Sequence, residues 1–134
     1  MWSLYYRLLT GVVKESAADV EALGIDIKEF FVLNDIEECP YPAELAKRLS
    51  IPKATMTGYL KSLEAKGLSS RKIDPEDLRR HRLMLTASGR KTALRARAIL
   101  ADIFGNRLAR LNDKESDELQ NLLEKLCRES AAIS

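Results

Sequence analysis

Apolar residues recur at Trp2, Tyr5, Leu9 and Val12, near the helical period, and the pattern predicts a helix from Trp2 to about Leu23 with Gly24 as its C-cap. Asp26, followed three positions later by Glu29, reads as a capping box that opens a second helix with Ile27, Phe30, Phe31 and Leu33 to bury. The stretch ECPY breaks that helix, and Pro42 suits the first turn of a short one through Leu45, Ala46 and Leu49. After the turn SIP (50–52), a helix over Lys53–Lys66 carries Met56, Tyr59, Leu60 and Leu63 as its apolar stripe and ends at Gly67. The period then changes. GLSSRKI and LMLT alternate apolar with polar, predicting strands near Leu68–Lys72 and Arg82–Leu85 on either side of a charged loop, DPEDLRRHR (74–82). Thr86 caps a long helix to about Leu111, and Asn112 with Glu115 caps a last one bearing Leu119, Leu122, Leu123 and Leu126.

Two short helices joined by a tight turn make a helix-turn-helix, and a hairpin directly after it makes a wing. The expected fold is mainly α: a winged helix-turn-helix with a two-stranded β-hairpin wing, flanked by N- and C-terminal dimerisation helices. At 134 residues the chain fits one domain, 1–134, with residues 26–86 as the winged core and 1–24 and 87–134 as the flanking helices.

Net charge becomes informative only when divided along the chain. Residues 44–97 hold 14 Lys/Arg against 5 Asp/Glu, whereas 1–43 hold 3 against 8 and 98–134 hold 5 against 7. A basic middle between acidic flanks points the middle at a polyanion and the ends at something else. Other functions find little support. MWSLYYRLLTGVV has Arg7 at its centre and no basic n-region, so neither a signal peptide nor a membrane span is expected, and the location expected is cytoplasmic. Cys39 and Cys127 have no CxxC partner and no neighbouring histidine, which reads as two free thiols, with Cys127 buried in the last helix. The single histidine, His81, lies on a loop. No nucleophile–base pattern, phosphate-cradling loop or metal-ligand spacing is present, so no enzyme, cofactor or metal is expected.

On the 53–66 helix, an inward stripe of Met56, Leu60 and Leu63 turns Lys53, Ala54, Thr55, Thr57, Gly58 and Lys61 outward. Short side chains let such a helix approach base edges while lysines reach phosphate. A hairpin beside it projects along the duplex towards a minor groove, where an inserted Arg79 gains from concentrated negative potential. Arg80 and Arg82 are neighbouring cations, and Lys47, Arg71, Lys72 and Arg90 are further phosphate candidates. Trp2, Tyr5, Leu9, Ile103, Phe104, Leu119, Leu122, Leu123 and Leu126 are more apolar surface than a small winged helix covers, and a two-fold dimer accounts for them.

ELAKRL, TMT…LKSLEAKGL, DPED…R and LTASG, in register over residues 44–89, resemble the multiple antibiotic resistance regulator (MarR) family of bacterial transcription factors. The resemblance implies a homodimeric, sequence-specific repressor on a palindromic double-stranded DNA operator, released by a small ligand or an oxidant. It implies a brace for the wing arginine at Asp77, and an aromatic effector in a pocket near Tyr5, Tyr6, Phe30 and Phe31. Some members of the family sense oxidants through a cysteine, and Cys39, just before Pro40, is expected to be the more exposed of the two here, but neither Cys39 nor Cys127 is assigned such a site. The chain departs from the family at two places: Gly58 replaces a long, often basic side chain, and Leu78 replaces the first arginine of an Asp-Arg-Arg wing. The competing reading is a winged-helix protein-interaction module without specific DNA binding.

Overall fold

In a computed structural model that describes residues 1–128, eight elements follow one another: α1 (Trp2–Glu21), α2 (Ile27–Asp35), α3 (Pro42–Arg48), α4 (Lys53–Ala65), β1 (Ser69–Ile73), β2 (His81–Leu85), α5 (Ala87–Leu108) and α6 (Asp113–Cys127). The end of the 87–134 range, from residue 129 on, lies outside the described residues. The strands differ by one residue from where alternation put them at three of their four ends and coincide at the fourth, and α2, α5 and α6 begin directly after their caps Asp26, Thr86 and Asn112. None of the described helices is long and apolar enough to cross a membrane.

The caps explain the helix starts. Asp26 Oδ1 accepts the Glu29 N–H at 2.8 Å while Glu29 Oε1 accepts the Asp26 N–H at 3.1 Å, and Asn112 and Glu115 repeat the arrangement at 2.8 and 3.0 Å. Gly24, at φ +91, makes the left-handed turn between α1 and α2 that side chains resist.

The core gathers Val20 of α1, Phe30, Val32 and Leu33 of α2 with Ile36 at its end, Leu45 of α3, Met56, Leu60 and Leu63 of α4, Leu83 of β2, and Ala93 and Ala96 of α5. One expected core residue is displaced: Phe31 is exposed, because Val32 and Ile36 occupy the inward positions of α2. Cys127 is likewise exposed rather than buried. Its helix, α6, buries none of its residues, since among the described residues its apolar face is covered only in part, around Leu119.

β1 and β2 pair antiparallel, with Ser69 opposite Leu85, Lys72 opposite Arg82 and Ile73 opposite His81. The ribbon is fixed at both ends of the core. The Leu83 N–H donates to the Pro40 carbonyl at 2.7 Å, tying β2 to the segment before α3. At the other end the Thr86 hydroxyl donates to the Gly67 carbonyl at 2.6 Å and its N–H to Leu68 O at 3.1 Å. Only glycine fits at position 89, where an added Cβ would stand 1.9 Å from the Leu68 carbonyl oxygen. The start of α5 is thus pressed directly onto the root of the wing.

Candidate nucleic-acid interface

Met56, Leu60 and Leu63 are buried, so α4 has a fixed inner side, and Lys53, Ala54, Thr55, Thr57, Gly58 and Lys61 are all exposed. Thr57 donates its hydroxyl to the Lys53 carbonyl at 2.9 Å, which leaves its methyl group and oxygen lone pair for an outside partner. A Cβ at Gly58 would meet nothing within 4 Å, so the glycine answers no packing demand within the chain. The turn before α4 places Ser50 at φ 54, a left-handed position unusual for serine.

What holds α4 in place was not evident from sequence. Glu29 is 4% exposed, and besides closing its capping box it accepts the Ser62 hydroxyl at 2.8 Å and the Lys66 ammonium at 2.8 Å. Burial opposes the charge of Glu29, but the Lys66, Ser62 and Asp26 donors outweigh it and hold its carboxyl below the ordinary range. α2 and α4 are locked together through this carboxylate.

A second carboxylate organises the wing. Asp74, 2% exposed, accepts the Tyr41 hydroxyl at 2.9 Å and the Glu76 N–H at 3.0 Å. The Glu76 N–H and the Tyr41 hydroxyl, opposed by burial and aided by Arg80 and Arg82, keep Asp74 below its ordinary pKa, and the same bond raises that of Tyr41. Arg80 does not project as a wing cation. Its guanidinium lies 3.7 Å from the Tyr41 ring centroid and pairs with Glu44 at 2.9 Å, because the aromatic face and the carboxylate of α3 offer it more than open solvent does. Asp77 takes both the backbone N–H of Arg79 at 3.1 Å and its Nε at 3.3 Å, while the Arg79 side chain remains 91% exposed.

Of the further phosphate candidates, Arg71 is paired with Glu64 at 3.2 Å and Arg90 with Glu37 at 2.9 Å. Lys47, Lys53, Lys61, Lys72 and Arg82 make no ion pair among the described residues. Lys72 and Arg82 stand directly opposite each other on the ribbon, a repulsive cross-strand pair until an anion lies against it.

At the other end of the molecule residues 1–10 are all exposed, with Trp2 stacked on Tyr5 at 5.9 Å between ring centroids. Tyr5, Leu9, Phe104, Leu119 and Leu123 come together around one apolar cavity of about 480 Å³, which Phe30 and Phe31 also line and where Arg97 is the one charged group among the described residues. Tyr6, expected there, does not line it, and neither do Trp2, Ile103, Leu122 or Leu126. Leu122 and Leu126 are exposed on α6, and Ile103 is half-buried. Cys39, half-buried, and Cys127 border a separate open cleft beside Lys47 and Arg48.

A family model described as the MarR family matches residues 25–81. The HTH-type transcriptional repressor Rv2887 of Mycobacterium tuberculosis (strain ATCC 25618 / H37Rv) is 33% identical over 125 residues, covering 92% of this chain and 90% of that protein. Its crystal structure in complex with p-aminosalicylic acid superposes with a TM-score of 0.75 at 31% identity, covering 96% of this chain and 98% of that one. Its complex with DNA gives a TM-score of 0.74, covering 94% and 96%. The transcriptional repressor CouR, bound to a 23-mer DNA duplex, gives a TM-score of 0.78 at 29% identity, covering 96% of this chain and 92% of that one.

Proposed function

The chain belongs to the MarR family of DNA-binding transcription regulators, and from that premise we propose that it is a sequence-specific repressor acting as a homodimer on a palindromic double-stranded operator. The observation that carries this reading is the set of exposed cations that make no ion pair among the described residues, Lys53 and Lys61 on α4 with Lys72 and Arg82 on the ribbon, next to an Arg79 held by its brace Asp77. Exposed cations on the two elements of a winged helix, free of carboxylate partners among the described residues, suit a phosphate backbone.

In this reading α4 lies in the major groove. Thr55 and Thr57 contact base edges and thymine methyls, Lys53 and Lys61 reach phosphate, and the absence of a side chain at Gly58 brings the helix close. The wing carries Arg79 to the adjacent minor groove, with its guanidinium oriented in advance by Asp77. The exposed apolar residues of α1 and α6 supply the dimer contact, and the two-fold axis then spaces two α4 helices for successive major grooves. The effector proposed is an aromatic carboxylate. Its ring would enter the apolar cavity and its carboxylate would meet Arg97, a reading supported by the complexes of Rv2887 with salicylic and p-aminosalicylic acids.

Selection of bound sites from a random duplex pool tests the proposal, with a palindromic consensus as the expected result. Arg79→Ala should then weaken binding to that consensus about tenfold and lower the salt slope by about one contact. An unselected pool, with no retention even at low salt, would leave the protein-interaction module as the better account.

A further inference from the structure

The loop between β1 and β2 is strongly polar, yet Leu78 stands in it 78% exposed. A leucine so placed adds nothing to the core and forfeits the gain of burial. Isolated exposed leucines are common, but this one tops a loop that is otherwise fastened down. Asp74 N–H donates to Arg80 O at 2.9 Å and Arg80 N–H to Asp77 O at 3.0 Å, closing the backbone on itself. Asp74 is locked to Tyr41, Arg80 lies on the Tyr41 ring, and Asp77 grips Arg79 from below. Leu78 and Arg79 are adjacent, exposed, and carried on a stiff support.

Building on the reading that this wing enters a duplex, we propose that Leu78 is an apolar wedge pressed into the minor groove beside Arg79, making the protein select a TA step within A·T pairs at the outer edges of its site. A wedge must push against base stacking, so it needs rigid backing, and the bonds around Asp74, Asp77 and Arg80 supply that. Leucine is among the side chains that part base steps from the minor groove. Pyrimidine–purine steps yield most readily to such a wedge, while a narrow A·T groove is what an arginine favours. A TA step inside an A·T stretch meets both demands, and neither residue meets them alone. The unpaired Lys72 and Arg82 further down the ribbon suit the phosphates that flank such a groove.

The test uses the full chain and a random duplex pool, comparing wild type with Leu78→Ala, Leu78→Lys and Arg79→Ala. Wild type should enrich TA at symmetric outer positions about tenfold over stiff A-tract steps, within the range that single base pairs command. Leu78→Ala should bring that preference below about twofold while keeping the central consensus and the salt slope. Leu78→Lys should lose it too, although its added charge favours phosphate. Arg79→Ala should instead lower the salt slope. A 2-aminopurine placed at the step should brighten on binding wild type and stay dark with Leu78→Ala, whose thermal melt should match wild type because the side chain is exposed. An unchanged outer profile in Leu78→Ala overturns the wedge and leaves DNA binding standing, whether or not that variant loses self-association or a protein contact. Failure of the wild-type chain to enrich any duplex overturns both.

Discussion

A carboxylate taken out of water must be held by donors, and Glu29 is held by the Asp26 N–H, the Ser62 hydroxyl and the Lys66 ammonium. Its folded pKa lies below the unfolded value, so the stability it confers is complete above about pH 4.5 and is lost as pH falls through the lower folded value. Urea unfolding as a function of pH should show this loss in the wild type. Glu29→Gln should be less stable at neutral pH by about 1–3 kcal/mol and should decline less steeply in acid. The capping role of Glu29 was legible because its partner is three residues away. Its grip on α4 was not, because Ser62 and Lys66 lie 33 and 37 positions later and only the fold brings them near. Gly58 is the reverse case: its exposed place on α4 followed from the inward stripe alone. With open space around it, Gly58→Ala should raise stability by about 1 kcal/mol, read from the urea midpoint.

Between elements, the wing and the helix-turn-helix act as one body through Tyr41, which begins α3 as its N-cap residue and bonds Asp74 where the wing's loop leaves β1. Tyr41→Phe keeps the ring under Arg80 but removes the hydroxyl, leaving buried Asp74 with the Glu76 N–H as its remaining short-range donor. The expected outcome is a native circular dichroism spectrum, a lowered melting midpoint, and weaker duplex binding whose loss is greatest at outer, wing-facing positions of the site. Equal loss at every position would mean that the bond serves stability alone. The elements themselves were readable from local signals, since caps at Asp26, Thr86 and Asn112 and glycines at 24 and 67 act within a few residues. The fate of the wing's arginines was not. Arg80 and Arg82 look equivalent in sequence, but Arg80 meets an aromatic ring and a carboxylate from α3, whereas Arg82 faces Lys72.

For the molecule as a whole, the division of charge along the chain coincides with a division of surface. The basic segment carries α4 and the wing, while the flanks carry α1 and α6 with Trp2, Leu4, Tyr6, Leu122 and Leu126 in solvent. Sequence pattern shows that these positions are apolar and helical, but it does not show whether any other part of the chain covers them. Cys127 accordingly read as buried from its place in an apolar helix and lies exposed on α6. The pair Leu122→Asp and Leu126→Asp isolates this contact, because both side chains are exposed in the single chain and their loss should spare its own core. By sizing with light scattering, the double variant should run at the mass of one chain where wild type runs at two. If each half-site neutralises about four phosphates, the wild-type dimer should show a slope of log K against log salt of roughly −7, and the double variant about half that. A monomeric variant that kept the full slope would mean that one chain spans all the phosphates, and would separate the apolar flanks from DNA binding.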